Sequence, residues 1–304
     1  MPKRQFLPAP SFGSNQRLDV FLSQRIQGLT RSQIQRLIDT EKVLVNGARS
    51  KPSYKLKKGD RVEVEYEIPE PEKIRPENIP LNIVFSDNEI IVIDKPSGMV
   101  VHPGVMNRRH TLVSALLYHF PDIAPIGPEE RPGIVHRLDK GASGLMVIAR
   151  TWDAYLNLRQ QFKKREVDKL YLGLAWGRFT GNKGRINLAI GRHVKHGDRM
   201  SVKTNKPKDA ETHFSVLKDY GEFSFLEIKP VTGRTHQIRV HLAASGHPLV
   251  GDTRYGRSKS KQGLPRLFLH AARLSFIHPK TGERIEFSSP LPDDLKKFLE
   301  EIEK

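Results

Sequence analysis

Four prolines, Pro69, Pro71, Pro76 and Pro80, fall within residues 68–80 among glutamates and lysines. Each removes a backbone donor and fixes φ, so no helix or central strand runs comfortably through the stretch, and an extended, semi-rigid linker is expected there. The linker divides the 304 residues into a small unit, 17–67, and a large one, 81–304. Residues 1–16 carry basic side chains but no apolar run ending in a small-residue cleavage site. They are expected to form a flexible arm and not a signal peptide.

In the small unit, residues 18–26 and 32–38 have helical spacing. Ile34, Leu37 and Ile38 share one face, and Thr30 suits an N-cap. Val43-Leu44-Val45, the pair Asn46-Gly47 and the alternating Val62, Val64 and Tyr66 read as strands around a tight turn. Charge is uneven: the chain holds 51 Lys+Arg against 34 Asp+Glu, a net +17, and residues 17–60 hold ten against four. Such a balance favours polyanions. A basic unit this small has no room for a walled pocket and reads as a docking module for RNA or DNA; the bland alternative is a solvated charged face. Arg17-Leu18-Asp19, Thr30-Arg31-Ser32-Gln33 leading into Arg36-Leu37-Ile38, and Val43 to Gly47 resemble the alpha-L RNA-binding domain. The resemblance implies that Arg17, Arg31, Arg36 and Asn46 contact RNA.

In the large unit, strands are expected at 83–85, 89–94, 144–150, 169–176, 212–217, 224–229, 267–269 and 273–277. Helices are expected at 111–119, 151–165, 235–244 and 293–301. Because the two kinds do not alternate, an α+β domain on a mixed or largely antiparallel sheet follows, and not a doubly wound parallel one. No apolar run approaches the ~20 residues of a membrane helix. The chain has no cysteine, which excludes thiol chemistry and disulfides and fits a reducing cytoplasm. It has no Gly-rich phosphate loop and no His-Glu-x-x-His, so neither a cofactor nor a metal is expected.

Three segments carry candidate chemistry. In Gly133 to Gly144, a loop feeding the apolar run 145–149, extended geometry sends Arg137 and Asp139 to the same side; a surface ion pair is the plain alternative. In residues 169–177, Leu170, Leu172, Leu174 and Trp176 face one way. Tyr171, Gly173, Ala175 and Gly177 face the other, where small residues leave space beside an aromatic wall. In Val231 to Leu242, Arg234 and Arg239 lie near a helix start that attracts anions, and a buried Arg239 suits bidentate pairing with a carboxylate.

Together these segments resemble the RluA-type family of pseudouridine synthases. His136-Arg137-Leu138-Asp139, Lys169-x-Tyr171 and Gly233 to Arg239 match its blocks, supported by Asp94 to His102 and Leu269-His270-Ala271. Gly141-Ala142 departs from the expected Asp-Thr. The resemblance implies a cofactor-free isomerase acting on large-subunit ribosomal RNA, with Asp139 as the essential carboxylate, Arg239 keeping it ionised and Tyr171 stacking on uracil. Arg137, His136 and Arg234 are implied to contact RNA. A cytoplasmic monomer is expected. The rivals are a non-catalytic RNA-binding or ribosome-assembly factor on the same fold, and a hydrolase using His136, His236 and Asp139. Basic clusters at 185–208 and 254–266 read as loops over a phosphate backbone.

Overall fold

A computed structural model of the chain describes residues 3–9, 15–68, 74–104, 109–194, 196, 199–256 and 264–304. Its contacts separate into two compact units, Met1–Lys73 and Ile74–Lys304.

The first unit contains β1 (Lys3–Pro8), α1 (Leu18–Arg25), α2 (Arg31–Asp39), β2 (Val43–Val45), β3 (Ala48–Arg49) and β4 (Arg61–Tyr66). Thr30 caps α2 through a capping box with Gln33, which satisfies donors that a helix start otherwise leaves open. Asn46 and Gly47 both take positive φ, 54° and 78°, the backbone a two-residue hairpin between β2 and β3 demands. Leu18, Phe21, Leu22, Ile34 and Ile38 of the helices close over Val43, Val62 and Val64. The arm expected at residues 1–16 is corrected in part. Residues 3–8 form β1, paired antiparallel with β4 from Lys3 opposite Tyr66 to Pro8 opposite Arg61. The open backbone of β4 supplies the partner that the composition of this segment does not advertise.

The linker expectation is also revised. Pro69 and Pro71 lie outside the described residues, and residues 74–80 belong to the second unit. Ile74 packs on the cluster containing Leu112 and Leu116, and Glu77 donates its N–H to Ser114 O at 2.9 Å. Proline denies donors but does not prevent packing, so residues 74–80 are bound to their own domain, with a tight turn where Ile79 donates its N–H to Glu77 O at 2.8 Å.

The second unit runs β5 (Asn82–Ser86), β6 (Ile90–Lys95), α3 (Leu112–His119), β7 (Ser143–Ala149), α4 (Trp152–Lys164), β8 (Asp168–Trp176), β9 (Lys183–Asn187), β10 (Gly191–Arg192), β11 (Met200–Ser201), β12 (Glu211–Asp219), β13 (Phe223–Pro230), α5 (Gln237–Ala244), β14 (Leu269–Ile277), β15 (Arg284–Ser288) and α6 (Asp293–Glu303). Nine strands form one sheet in the order β5-β6-β7-β14-β8-β13-β12-β9, with β15 on β14. Among the described strand pairs of this sheet, only β7–β14 is parallel. Every residue of β7 is buried, because both its faces are covered: Leu145, Val147 and Ala149 meet Ala154, Tyr155 and Leu158 of α4, and Met146 and Ile148 meet Leu112, Val113 and Leu116 of α3. The unbroken apolar run 145–149 is the signature of such a strand.

Smaller departures have local causes. Of the strand expected at 267–269 only Leu269 is in a strand; it opens β14, which continues through an irregularity between Ala271 and Arg273 into the stretch expected at 273–277. The helix expected from 235 starts at Gln237, since His236 adopts a left-handed φ of 55°. Strands β9, β10, β11 and β15 are not among those expected. The faces of β8 are as read: Leu172, Leu174 and Trp176 lie in one cluster, Tyr171 and Ala175 in another. The space expected over Gly173 is filled, however; a Cβ there would meet Ile228 at 2.8 Å and Leu249 at 3.2 Å.

Candidate active site

Asp139 lies on the segment that leads into β7, and that segment is pinned along the strand. Ala149 N donates to Gly133 O at 2.9 Å, and Val147 N donates to His136 Nε2 at 3.0 Å. Leu138 turns into the core, while Arg137 and Asp139 line a cleft of about 520 Å³, within the range of small-ligand sites. Beyond Asp139 the loop is closed by main-chain acceptors: Gly98 N donates to Lys140 O at 2.8 Å and Ser97 Oγ to Gly141 O at 2.8 Å. The Gly141-Ala142 departure therefore leaves the loop held, with Ala142 packed against Ala175, Leu267 and Leu269.

From the opposite wall Arg239, on the first turns of α5, donates Nη1 to Asp139 Oδ2 at 3.1 Å. Its bidentate edge is spent elsewhere. Nε and Nη2 each reach Asp252, at 2.8 Å to Oδ2 and Oδ1, so the fork-on-carboxylate pairing expected for Asp139 is instead with a residue that sequence reasoning missed. Burial works against the charged guanidinium, yet the hydrogen bond and charge of Asp252, followed by those of Asp139, outweigh it and leave Arg239 more firmly protonated than an ordinary arginine. Burial likewise opposes ionisation of Asp252, and Arg239 overrides it, holding that carboxyl below the usual range. Tyr255 completes the wall. Its ring lies under the Arg239 guanidinium, 5.1 Å to the centroid, and its hydroxyl is 2.8 Å from His236 Nδ1.

Tyr171 reaches the cleft from β8, between Ile228 of β13 and Ala271 of β14. Burial, and then the charge of Asp139, push its phenol well above the ordinary range. It therefore stays protonated at neutral pH and presents a flat face and an O–H. Lys95 was another omission. It is fully buried, donates Nζ to Pro96 O at 2.8 Å and Met99 O at 3.0 Å, and is pushed down to about 7 by burial and by Arg266.

The histidines do not assemble a hydrolytic triad. His136 accepts from a backbone N–H, stacks on Phe162 at 4.5 Å, and is pushed down to about 3 by burial and then Lys169; it is a neutral strut at the cleft wall. His236 Nε2 stands 3.9 Å from Asp139 Oδ1, beyond a hydrogen bond.

The residues implied to touch RNA divide by their existing ties. Arg137 is exposed at the cleft. Arg234 also lines it but gives Nε to Asp209 O at 3.0 Å. In the first unit Arg17 and Arg31 both hold the buried Asp19, at 3.0 and 2.8 Å. Asn46 bonds Asp60 and the Arg61 N–H, both at 2.8 Å, so these three shape the unit as well as facing outward. Arg36 is exposed on α2. Of the basic clusters, Lys195, Arg257, Lys259 and Lys261 lie outside the described residues. Arg185 pairs with Glu211 at 2.7 Å. Arg266 is turned inward onto Ser143 Oγ and Asp294, which removes it from any phosphate-reading surface. The cleft rim instead carries Lys163 and Arg165, both exposed at the end of α4. Among the described residues no helix is long and apolar enough to cross a membrane.

Comparison with known proteins gives this geometry its family. Residues 89–244 match the family described as RNA pseudouridylate synthase, and residues 16–62 match the S4 domain, over the stretch read as an alpha-L RNA-binding domain. An "Uncharacterized RNA pseudouridine synthase" of Aquifex aeolicus is 43% identical over 96% of this chain and 95% of its own. The "Ribosomal large subunit pseudouridine synthase D" of Blochmanniella floridana is 40% identical over 96% of each. Among solved structures, human RNA pseudouridylate synthase domain containing 1 superposes with a TM-score of 0.58 at 29% identity, covering 77% of this chain and 97% of that one. Likeness of this extent, at this identity, settles the reaction class: the chain belongs to the RNA pseudouridylate synthase family, of the RluA type, and is an RNA pseudouridine synthase, an isomerase, with an S4 domain at its N-terminal end.

Proposed function

We propose that the chain isomerises specific uridines of large-subunit ribosomal RNA in the cytoplasm, using Asp139 as its one reacting carboxylate and no cofactor. The observation that carries this reading is the placement of Asp139 in the cleft, tethered by a single bond from Arg239 and faced by Tyr171. Relatives such as the Blochmanniella floridana protein are named for large-subunit RNA.

Isomerisation needs cleavage of the N-glycosidic bond, rotation of the detached uracil, bonding of C5 to the ribose and loss of the C5 proton. Redox and phosphoryl steps are absent, so side chains suffice. Asp139 acts at the sugar, as nucleophile or base, oriented by the bond from Arg239. The Tyr171 ring gives uracil a flat surface to stack on while detached, and Arg137 fills the gap that the extruded nucleotide leaves in the RNA. A glycosidase that hydrolyses its substrate uses two carboxylates and a positioned water; Asp252, the second carboxylate here, is fully buried behind Arg239 and does not face the cleft. With ribosomal RNA tritiated at uridine C5, the protein is expected to release tritium to solvent without releasing free uracil. Free uracil or strand scission would mark a hydrolase, and no release from any ribosomal RNA would remove this substrate from consideration.

RNA approaches over Lys163 and Arg165. Replacing both with Gln is expected to reduce the slope of log affinity against log salt by about 1–2, since each phosphate no longer neutralised removes roughly 0.7–0.9 from it. An unchanged slope, measured by filter binding across a salt series, would move the RNA path off this rim.

A further inference from the structure

Asp252 is the most completely satisfied charged group near the cleft, and its position raises the question of what it does for the reaction. Its side chain is wholly shielded from solvent. Oδ1 accepts from Arg239 Nη2, from Arg254 N at 2.9 Å and from Tyr255 N at 3.0 Å, and Oδ2 accepts from Arg239 Nε. The turn that presents it tolerates no side chain at either end. A Cβ on Gly251, whose φ is 72°, would lie 1.8 Å from Arg266 O, and one on Gly256 would lie 2.1 Å from Asp252 O. The guanidinium is thus fixed by edge and by face, with Asp252 along Nε–Nη2 and the Tyr255 ring beneath.

A guanidinium free to choose takes a lone carboxylate through two parallel bonds, because that geometry is the strongest available to it. Applied to Asp139, such a fork would put a charge-assisted hydrogen bond on both oxygens and make each a weaker nucleophile or base. Here Asp252 takes one of the two forks the guanidinium offers, the Nε–Nη2 edge, and of the N–H groups left over only one on Nη1 meets Asp139, at Oδ2. Oδ1 takes no bond from Arg239; its neighbour His236 Nε2 lies 3.9 Å away, beyond hydrogen-bond range, and burial pushes that imidazole below its ordinary range. The other charged or titratable groups around Asp139 are Tyr171 from β8, Lys95 from β6 and Arg137 on its own loop. Among the described residues, no hydrogen bond joins any of these three to its carboxylate.

We propose that Asp252 is a positioning residue for isomerisation: by holding the Nε–Nη2 edge of Arg239 it turns that guanidinium so that Nη1 alone reaches Asp139, which stays oriented while its Oδ1 carries no bond from the arginine. The inference rests on the reading of Asp139 as the reacting group. Its consequence is specific to charge and edge occupancy, since Asn at 252 keeps the shape and one acceptor but cannot hold the fork.

The test uses the full chain with a tritiated ribosomal RNA fragment under single-turnover conditions. Asp252→Asn is expected to slow tritium release by about 10²-fold, the scale of a misplacement near 1 Å at a reacting group, while the Kd for RNA stays within two-fold. Asp252→Glu, which keeps the charge, is expected to recover part of that loss. In an Arg239→Gln background, Asp252→Asn is expected to change the rate by less than two-fold, because there is no longer a fork to hold. A crystal structure of the single variant is expected to show Arg239 bonded to both oxygens of Asp139. If Asp252→Asn lowers the rate only in proportion to the folded fraction seen by near-ultraviolet circular dichroism, or costs the same in both backgrounds, Asp252 is structural and the proposal is overturned. An Asp139→Asn variant that keeps the parent rate removes the underlying reading of Asp139 instead.

Discussion

Asp139→Asn is expected to lower isomerisation by at least ~10⁴-fold while leaving the fold and RNA affinity near those of the parent protein. The size follows from chemistry: an amide matches the carboxylate in shape but supplies neither a nucleophile nor a base, and losing a group of this kind removes most of the rate enhancement. The preserved fold follows from the geometry. Arg239 keeps its two bonds to Asp252 when Asp139 loses its charge, so no buried cation is stranded, and the cost is that of one partly exposed bond, about 1–2 kcal/mol. RNA binding is expected to hold or tighten slightly, because one negative charge leaves a surface that meets phosphates. Single-turnover tritium release, read beside a filter-binding titration, checks both halves. A variant retaining a tenth of the parent rate would show that Asp139 is not the reacting group. One that failed to bind RNA would show that its role is architectural.

What the sequence displays here is what depends on near neighbours. Thr30 with Gln33, the Asn46-Gly47 pair, the alternation of β8 and the uniform apolar run of β7 each fix a local backbone state, and the structure contains all four. Residues 3–8 show no such pattern, since five of the six are exposed, and only the open edge of β4 makes them a strand. At the site, Asp139, Tyr171 and Arg239 sit in separate text blocks that the structure brings to one cleft. Asp252 belongs to no such block. Its importance comes from a turn that folds back onto Arg239, thirteen residues earlier, and a lone acid at the head of a basic stretch gave only a weak hint. The same non-locality misassigned Arg266, which composition placed on the surface and Ser143 holds inside.

Gly144→Ala is expected to destabilise the large unit by about 2–6 kcal/mol. Gly144 has a φ of 116°, where a residue with a side chain carries a strain of roughly 1–3 kcal/mol. A Cβ there would also lie 2.4 Å from Ala271 O, 2.5 Å from Ala271 N and 2.7 Å from its Cα. These are main-chain atoms of β14, so no rotamer change relieves the contact, and overpacking of this kind adds about 1–3 kcal/mol. Relief requires β14 to move from β7 at the parallel pairing of His270 with Ser143 and Ala271 with Gly144, the junction that joins β5–β7 to the rest of the sheet. Gly282 supplies the control. Its φ of 74° is also positive but nothing lies within 4 Å of a Cβ, so Gly282→Ala is expected to cost only about 1–2 kcal/mol from backbone strain alone. Urea unfolding followed by tryptophan fluorescence isolates the effect, because both tryptophans, Trp152 and Trp176, lie in the second unit. Equal midpoint shifts for the two variants would mean that β14 yields without cost. A Gly144→Ala shift at least twice that of Gly282→Ala would place the strain at the strand crossing that also ends the Asp139 loop.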